Sequence, residues 1–500
     1  MLRRRLVVLS ALAIAAFWLV MMALLLRREI LTPLLRVGPG AFTVPSEPTD
    51  TWLGLLLNDA VKTPIGYINI RTEPNTRGQD AGIRAQVLGR MRLNLGSFKG
   101  ELVMNGQAWA SPASGLRDFS FTLRSGEHAT TLEATVEAGR LKGAMKTGGE
   151  RTPIDLAVGD AQLMTAAPGF GSFSIPSLAV GDEVQVETFD PLTMSAGRAR
   201  VRCLREETIR VMGRDAHTKV VETNLSGMKS TAWIDDRGEV VRAETPIGFV
   251  LQRMDAAEAL DMAAAKHENA AGLLEFAAIR PEGPKPYRGA ARMEFVFSGL
   301  EGVAELPIEI DGAQSQTPRN TWVITAKGPE GEAAPLSDSD REAALANDPF
   351  LQIDHPKIVE KAREIVGSEH DAWRQAMLLY EWVHTKIEKN IVPSLPTSLD
   401  VLMTLEGDCN EHTMLYTALA RASGIPTRMA IGLVWSEEFG AFYYHAWPEV
   451  YVGRWVWIDP TLGQPIADAT HIKLLSGDLM SWWRIAPFMG NIHIRTLDVQ

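Results

Sequence analysis

The longest apolar pattern in the chain runs from Leu6 to Leu26, with Ser10 its only polar residue. Arg3, Arg4 and Arg5 precede it, and Arg27 and Arg28 follow. A helix of that length crosses a hydrocarbon core of about 30 Å. The run ends in Met21-Met22-Ala23-Leu24-Leu25-Leu26 without a small-x-small cleavage site, which favours an uncleaved transmembrane helix over a signal peptide. A core helix is disfavoured, because the run is apolar on every side and bracketed by arginines. The flanking charges are nearly balanced once Arg36 is counted, and the terminal amine tips the expected orientation to N-terminus inside. The expectation is a single-pass inner-membrane anchor over residues 1–30, with the soluble part periplasmic or otherwise extracytoplasmic. Pro33, Pro39, Pro45 and Pro48 with Gly38 and Gly40 mark a linker over 31–50.

From Trp52 the pattern changes to alternation. Phe119, Phe121 and Leu123 alternate with Ser120, Thr122 and Arg124, and Leu132, Ala134 and Val136 alternate with Glu133, Thr135 and Glu137. That is the period of a strand with one buried face. Asn105-Gly106, Ser125-Gly126, Thr147-Gly148-Gly149 and Asp236-Arg237-Gly238 read as turns between such strands. The region 51–327 is therefore expected to be antiparallel and β-rich, as a sheet, sandwich or open barrel. It holds no catalytic constellation and reads as a scaffold or binding module. A break falls near 255–285, where Asp255 and Glu258 have capping-box spacing before an alanine-rich stretch, predicting a helix near 256–265. Two further strand candidates follow, at 293–297 and 321–325.

Residues 328–347 are rich in Gly, Pro, Ser, Asp and Glu and read as a second linker. Beyond them, over 348–500, helical spacing takes over. Ala372, Ala376, Leu379, Val383 and Ile387 recur at three- and four-residue steps and make one apolar stripe. Ser398 precedes a short helix over 399–405. Asp408 and Glu411 form an acidic capping box, so that a helix begins at Cys409 and stops before Gly424 and Pro426.

The expected fold class is therefore α+β: an N-terminal transmembrane helix, an antiparallel β-rich middle region and a C-terminal α+β domain. Composition adds limits. With 46% hydrophobic and 22% charged residues the chain is globular rather than disordered. A net charge of -11 with no basic stripe argues against nucleic acid as a partner. Only Cys203 and Cys409 are present, which excludes a disulfide scaffold. Cys203 shares a strand face with Val201 and reads as a small buried hydrophobe.

Cys409 reads differently. In the first turn of a helix, unpaired N–H groups and the positive end of the dipole favour a thiolate. Downstream, Tyr443-Tyr444-His445-Ala446-Trp447-Pro448-Glu449-Val450-Tyr451 and Trp455-Val456-Trp457-Ile458-Asp459 flank a turn at Gly453-Arg454 and predict a hairpin that sets Asp459 beside His445. An acid behind an imidazole fixes its tautomer and steadies the imidazolium. Cys409, His445 and Asp459 are thus candidates for nucleophile, base and orienting acid.

The stretch from about Ala376 to Thr461 resembles the transglutaminase-like (papain-like) superfamily in its bacterial membrane-associated form. The resemblance is carried by Gly407-Asp408-Cys409 with His412, by Arg421 to Arg428 around Gly424-Ile425-Pro426, by His445-Ala446-Trp447 through Tyr451, and by Trp457-Ile458-Asp459-Pro460-Thr461. It implies that Cys409 is the nucleophile, His445 the general base and acid, and Asp459 the orienting carboxylate. It also implies a thioester acyl-enzyme resolved by an amine (transamidation) or by water (hydrolysis), acting on a protein or peptide. No cofactor and no metal is implied. Pro448 departs from many relatives and fits a strand edge or bulge. The Cys409 backbone N–H is a candidate oxyanion donor; the side chain completing that hole is not assignable from sequence. A zinc site of Cys409, His412, His445 and Asp459 is the weaker alternative. At the level of function, the alternative to an enzyme is a catalytically silent transglutaminase-like interaction module of the cell envelope.

Overall fold

The computed structural model describes residues 44–500 except 59–61, 96–97, 113–114, 127, 148, 158–161, 164–177, 191–194, 226–227, 246–247, 265–276, 299–307, 309–311, 318–320, 391–395, 478–484 and 486–490. The apolar run at 6–26 and most of the 31–50 segment lie outside the described residues.

Fifteen strands, from β1 (Thr49–Leu57) to β15 (Phe249–Met254), form one sheet in the order β8-β7-β6-β5-β4-β3-β2-β1-β15-β14-β13-β12-β11-β10-β9. Two meanders of sequence neighbours thus lie side by side, joined where β1 pairs with β15. Every pairing is antiparallel except that of the two-residue β9 (Gln162–Leu163) with β10 (Glu183–Asp190). The alternating runs lie within β5 (Gly115–Ser125) and β6 (His128–Glu137), and Gly126, Gly149 and Gly238 sit at the intervening turns with positive φ. Cys203 is fully buried beside Val201, as its alternation requires.

The expected fold class is corrected: the chain is sheet-rich and dominated by this single sheet rather than an α+β arrangement, and the membrane helix expected at its head lies outside the described residues. Among the described residues no helix is long and apolar enough to cross a membrane. Asn105-Gly106 is also not a turn. Both lie inside β4 (Phe98–Ser111), paired with Leu88 and Val87 on one side and with Thr122 and Phe121 on the other. Ladder bonds to both neighbours override the local turn preference of the dipeptide.

Helix α1 (Ala256–Ala264) follows the sheet, its first turn held by Asp255 Oδ1 accepting the Glu258 N–H at 2.8 Å. The candidates at 293–297 and 321–325 become β16 (Arg292–Ser298) and β18 (Trp322–Thr325). With β17 (Gln314–Gln316) they form a four-stranded sheet completed by β25 (His493–Val499) at the far end of the chain. The Gly/Pro-rich stretch before Asn347 is fastened at several points. The Ala334 N–H donates to the Gly453 carbonyl, the Tyr451 hydroxyl donates to the Ala334 carbonyl, and Ser337 caps α2 (Asp338–Leu345).

A helical layer follows: α3 (Pro356–Val366), α4 (Ala372–Lys386), α5 (Ser398–Thr404) and α6 (Cys409–Ala422), with the short parallel pair β19 (Glu388–Lys389) and β20 (Glu406–Gly407) between them. Of the predicted stripe, Ala376, Leu379 and Val383 form the buried face of α4 together with Tyr380; Ala372 at its start is exposed, and Ile387 is the buried C-cap residue just past its end. The second four-stranded sheet has the order β23-β22-β21-β24. Its strands are β21 (Thr427–Ser436), β22 (Ala441–Tyr451), β23 (Trp455–Trp457) and β24 (His471–Gly477). Helix α6 is buried from Glu411 to Ala420, packed between the other helices and this sheet.

The large sheet backs the helical layer. Leu132, Leu141, Met145 and Ile154 from β6, β7 (Arg140–Thr147) and β8 (Glu150–Ala157) share one apolar core with Ile358, Leu379, Val383 and Tyr416. Thr147 Oγ1 donates to Asp400 Oδ2 at 2.9 Å, and Gln352 Nε2 donates to Thr152 Oγ1 at 2.8 Å across the same boundary. Leu141 is wholly buried there. Leu141→Ala is expected to destabilise the chain by about 2–5 kcal/mol and to lower the unfolding midpoint of the helical layer along with that of the sheet, read by urea unfolding with tryptophan fluorescence.

Candidate active site

The site starts from the first turn of α6. Asp408 is its N-cap: Oδ1 accepts the Asn410 N–H at 2.9 Å, and Glu411 Oε2 accepts the Asp408 N–H at 2.8 Å. The predicted capping box is thus present and puts Cys409 at the first helical position. Gly407 is required by this box, because a Cβ there would lie 2.2 Å from Glu411 Cβ.

Cys409 is half-buried as a residue but its sulfur is enclosed, and the backbone N–H of Ala446, the residue after His445, faces that sulfur. Helix and hairpin therefore meet where the sequence brings Cys and His together. In β22 and β23, Glu449 pairs with Trp457 and Tyr451 with Trp455. Extending that register sets Asp459 across from Trp447, one same-face step from His445. There His445 Nε2 lies 2.8 Å from Asp459 Oδ2. Bonding to an ionised carboxylate makes Nε2 the protonated nitrogen and leaves the Nδ1 lone pair free.

Pro448 sits inside β22, opposite Met429, not on an edge strand. Its carbonyl accepts the Ile458 N–H at 3.1 Å. Its missing donor faces the same side, past the end of the three-residue β23, so no central ladder bond is lost.

The pocket for the imidazole depends on a missing side chain. Gly432 pairs with His445 on one side and Lys473 on the other. A Cβ on Gly432 would come within 2.0 Å of the Ile472 carbonyl and 2.9 Å of the Trp447 ring. Trp447, fully buried, lies near-parallel to His445 at 6.1 Å between centroids and edge-on to His471 at 5.1 Å.

Sequence reasoning missed His471. Its Nε2 lies 3.0 Å from Asp459 Oδ2, and its Nδ1 lies 3.1 Å from the Asp468 carbonyl and 3.3 Å from Asp468 Oδ1. The available signal was Asp468-Ala469-Thr470-His471, an acid three residues before a histidine in an apolar strand. His384 was missed too: its Nδ1 lies 2.7 Å from the Pro460 carbonyl and ties α4 to the loop after Asp459.

Electrostatics follow from these contacts. Burial alone would raise the Asp459 pKa. The imidazoles outweigh it, His445 first and then His471, and hold the carboxyl far below the usual range. The thiol runs against the expected helix-start effect. Burial first, then the charge of Asp408, push the Cys409 pKa well up, against the opposing Ala446 hydrogen bond. The cap that starts the helix thus places a carboxylate beside the sulfur and offsets the dipole. Burial and the Asp408 charge also push Glu411 up. Burial lowers the His412 pKa; its Nδ1 lies 2.7 Å from the Asp408 carbonyl. The zinc arrangement required Cys409 and His412 to converge with His445 and Asp459. Instead, His445 and Asp459 converge with His471, their ligand atoms lying within 4.8 Å of one another, and the Asp459 hydrogen bonds join the three.

Residues 359–460 match the family model of the transglutaminase-like superfamily, a stretch that contains Cys409, His445 and Asp459. That stretch is a transglutaminase-like domain. Among curated proteins none matches the chain. A solved structure of a protein provisionally called a cysteine protease, from Cytophaga hutchinsonii, is 18% identical, with 45% of this chain and 85% of that one covered at a TM-score of 0.27. A β-barrel-like protein with a domain of unknown function, from Brucella abortus, is 14% identical, with 42% and 98% covered at a TM-score of 0.30. At these TM-scores neither likeness carries an argument.

The Asp459 pKa is depressed on folding. Its contribution to stability is therefore complete above the unfolded value near about 3.9 and is lost as pH falls toward the folded value. Asp459→Asn is expected to cost about 3–5 kcal/mol near neutral pH, because it leaves two buried histidines without their acid. Its stability should also fall less steeply than that of the wild type between about pH 4 and pH 2. Urea unfolding curves across that range check both expectations.

Proposed function

We propose that the domain is a cysteine enzyme of the transglutaminase-like type, which acylates Cys409 from an amide of a protein or peptide and passes the acyl group to an amine or to water. The observation that carries this reading is the meeting of three elements. The thiol at the start of α6 faces the N–H next to His445, and the ring of His445 is bonded to Asp459 at 2.8 Å.

The chemistry follows from the protonation states. The resting thiol is neutral, so nucleophile activation is proton transfer from Sγ to His445 Nδ1 as sulfur attacks the carbonyl carbon. Asp459 balances the imidazolium that forms. The tetrahedral oxyanion takes the Cys409 backbone N–H as a donor. Collapse breaks the C–N bond, and His445 returns its proton to the departing amine, leaving a thioester on Cys409. An amine or a water molecule then attacks the thioester, gives its proton to His445 and releases the acyl product; the proton returns to sulfur. With an amine acceptor the net change is transamidation, and with water it is amide hydrolysis.

The raised thiol pKa favours a silent interaction module instead only where His445 does not take the thiol proton, since the sulfur then stays neutral. The two readings diverge in solution. Iodoacetamide is expected to label wild-type Cys409 at least tenfold faster than His445→Ala, on the scale of general-base assistance, with no labelling at that position in Cys409→Ala. An inert wild-type Cys409 would sink the enzyme reading. A glutamine-containing protein offered with a labelled amine separates the two reactions: incorporation reports transfer, and ammonia or cleaved peptide without incorporation reports hydrolysis.

A further inference from the structure

His471 is fully buried, and both of its ring nitrogens face acceptors. Nδ1 meets the Asp468 backbone carbonyl, which only accepts. Nε2 meets Asp459 Oδ2. Asp459 is ionised: Oδ2 also faces His445 Nε2, and Oδ1 accepts the Leu462 N–H at 2.9 Å. A neutral imidazole has one N–H, so one of these contacts would set lone pair against lone pair with no water to relieve it. Only the doubly protonated ring satisfies both nitrogens. The second carboxylate that a buried cation needs is Asp468, itself held by the Gly289 N–H at 2.8 Å, the Thr470 N–H at 2.9 Å and Gln464 Nε2 at 2.6 Å.

We propose that His471 is a positioning residue of the candidate triad: a buried imidazolium that shares Asp459 Oδ2 with His445 and divides the charge of that carboxylate between two rings. The inference rests on the reading of Cys409, His445 and Asp459 given above and adds a fourth member, from β24, beyond the stretch matched by the family model. Sharing has two effects. It pins Asp459 from a second strand, so the His445 ring keeps Nε2 on the acid and Nδ1 free for the thiol proton. It also offsets part of the negative charge behind His445, where an undivided carboxylate would favour the charged ring more strongly.

The other charged and titratable groups facing this pair are few. Helix α6 brings Cys409 and His412, and α4 brings Tyr380, whose pKa is raised by burial and by the Asp459 charge. Arg288 lies 3.8 Å from Asp468. Further along β24, Lys473 Nζ is occupied by both Glu449 oxygens at 2.8 Å.

Nitrogen-edited NMR of the full chain with labelled histidines tests the proposal. In the wild type, both His471 nitrogens are expected to carry protons at about pH 7, and a neutral His471 ring would overturn the inference. His471→Gln keeps an N–H donor for Asp459 without the charge. In that variant the pH at which the His445 ring gains its proton is expected to rise by about one unit, and the acid limb of Cys409 alkylation should rise with it. An unchanged His445 titration also overturns the inference. If the Gln variant does not fold, the wild-type spectrum decides alone. If Cys409 is inert in the wild type while both NMR results hold, the nucleophile reading fails and the shared-carboxylate inference stands.

Discussion

Asp459 is the point on which this site turns. Its side chain is wholly buried and accepts from the His445 ring, the His471 ring and the Leu462 N–H. A buried carboxylate survives only if its charge is answered and its lone pairs are filled. Meeting that demand joins β22, β24 and the tight turn in which Asp459 and Gln464 exchange backbone hydrogen bonds at 2.8 and 2.9 Å. The direction in which the His445 ring faces is a consequence of this requirement.

Around that carboxylate the structure is closely packed rather than adaptable. Gly432 leaves the space that Trp447 fills, and Trp447 in turn packs against both imidazoles. On the same sheet, Lys473 of β24 and Glu449 of β22 form a fully buried ion pair, and Arg428 joins it from β21 between them. The Gln314 side chain bonds the Lys473 backbone on both sides, at 2.7 and 3.0 Å. Such pairs add little net stability, but they penalise any packing that separates them. The four-stranded sheet is thereby held to one register, and His445, Trp447 and His471 to one face.

The fifteen-stranded sheet contributes from further away. One of its faces completes the core beneath α3, α4 and α6, so the start of α6 rests on residues some 270 positions earlier in the chain (Leu141 to Cys409). This gives the β-rich region a structural part in holding the site. Within each of the two meanders, strands pair with their sequence neighbours, and among the described residues the β1–β15 seam is the only non-local pairing of this sheet.

Local signals were legible wherever the deciding interaction is local. The capping box of Asp408 and Glu411, the apolar stripe of α4, the helix after Asp255 and the hairpin bringing Asp459 toward His445 all follow from residues a few positions apart. The alternation in β5 and β6 and the burial of Cys203 are of the same kind. The tertiary structure decided what depends on distant partners. Asn105-Gly106 became mid-strand because strands on both sides claim its backbone. The strand at 292–298 found its partner at the end of the chain. The Cys409 thiol is pushed up rather than down because burial and the cap's own carboxylate outweigh the helix end. His471 meets Asp459 only because β24 returns beside β21, and no spacing along the chain records that contact. Short-range hydrogen bonding is written in neighbouring residues; desolvation and shared charge exist only once the chain has closed around them.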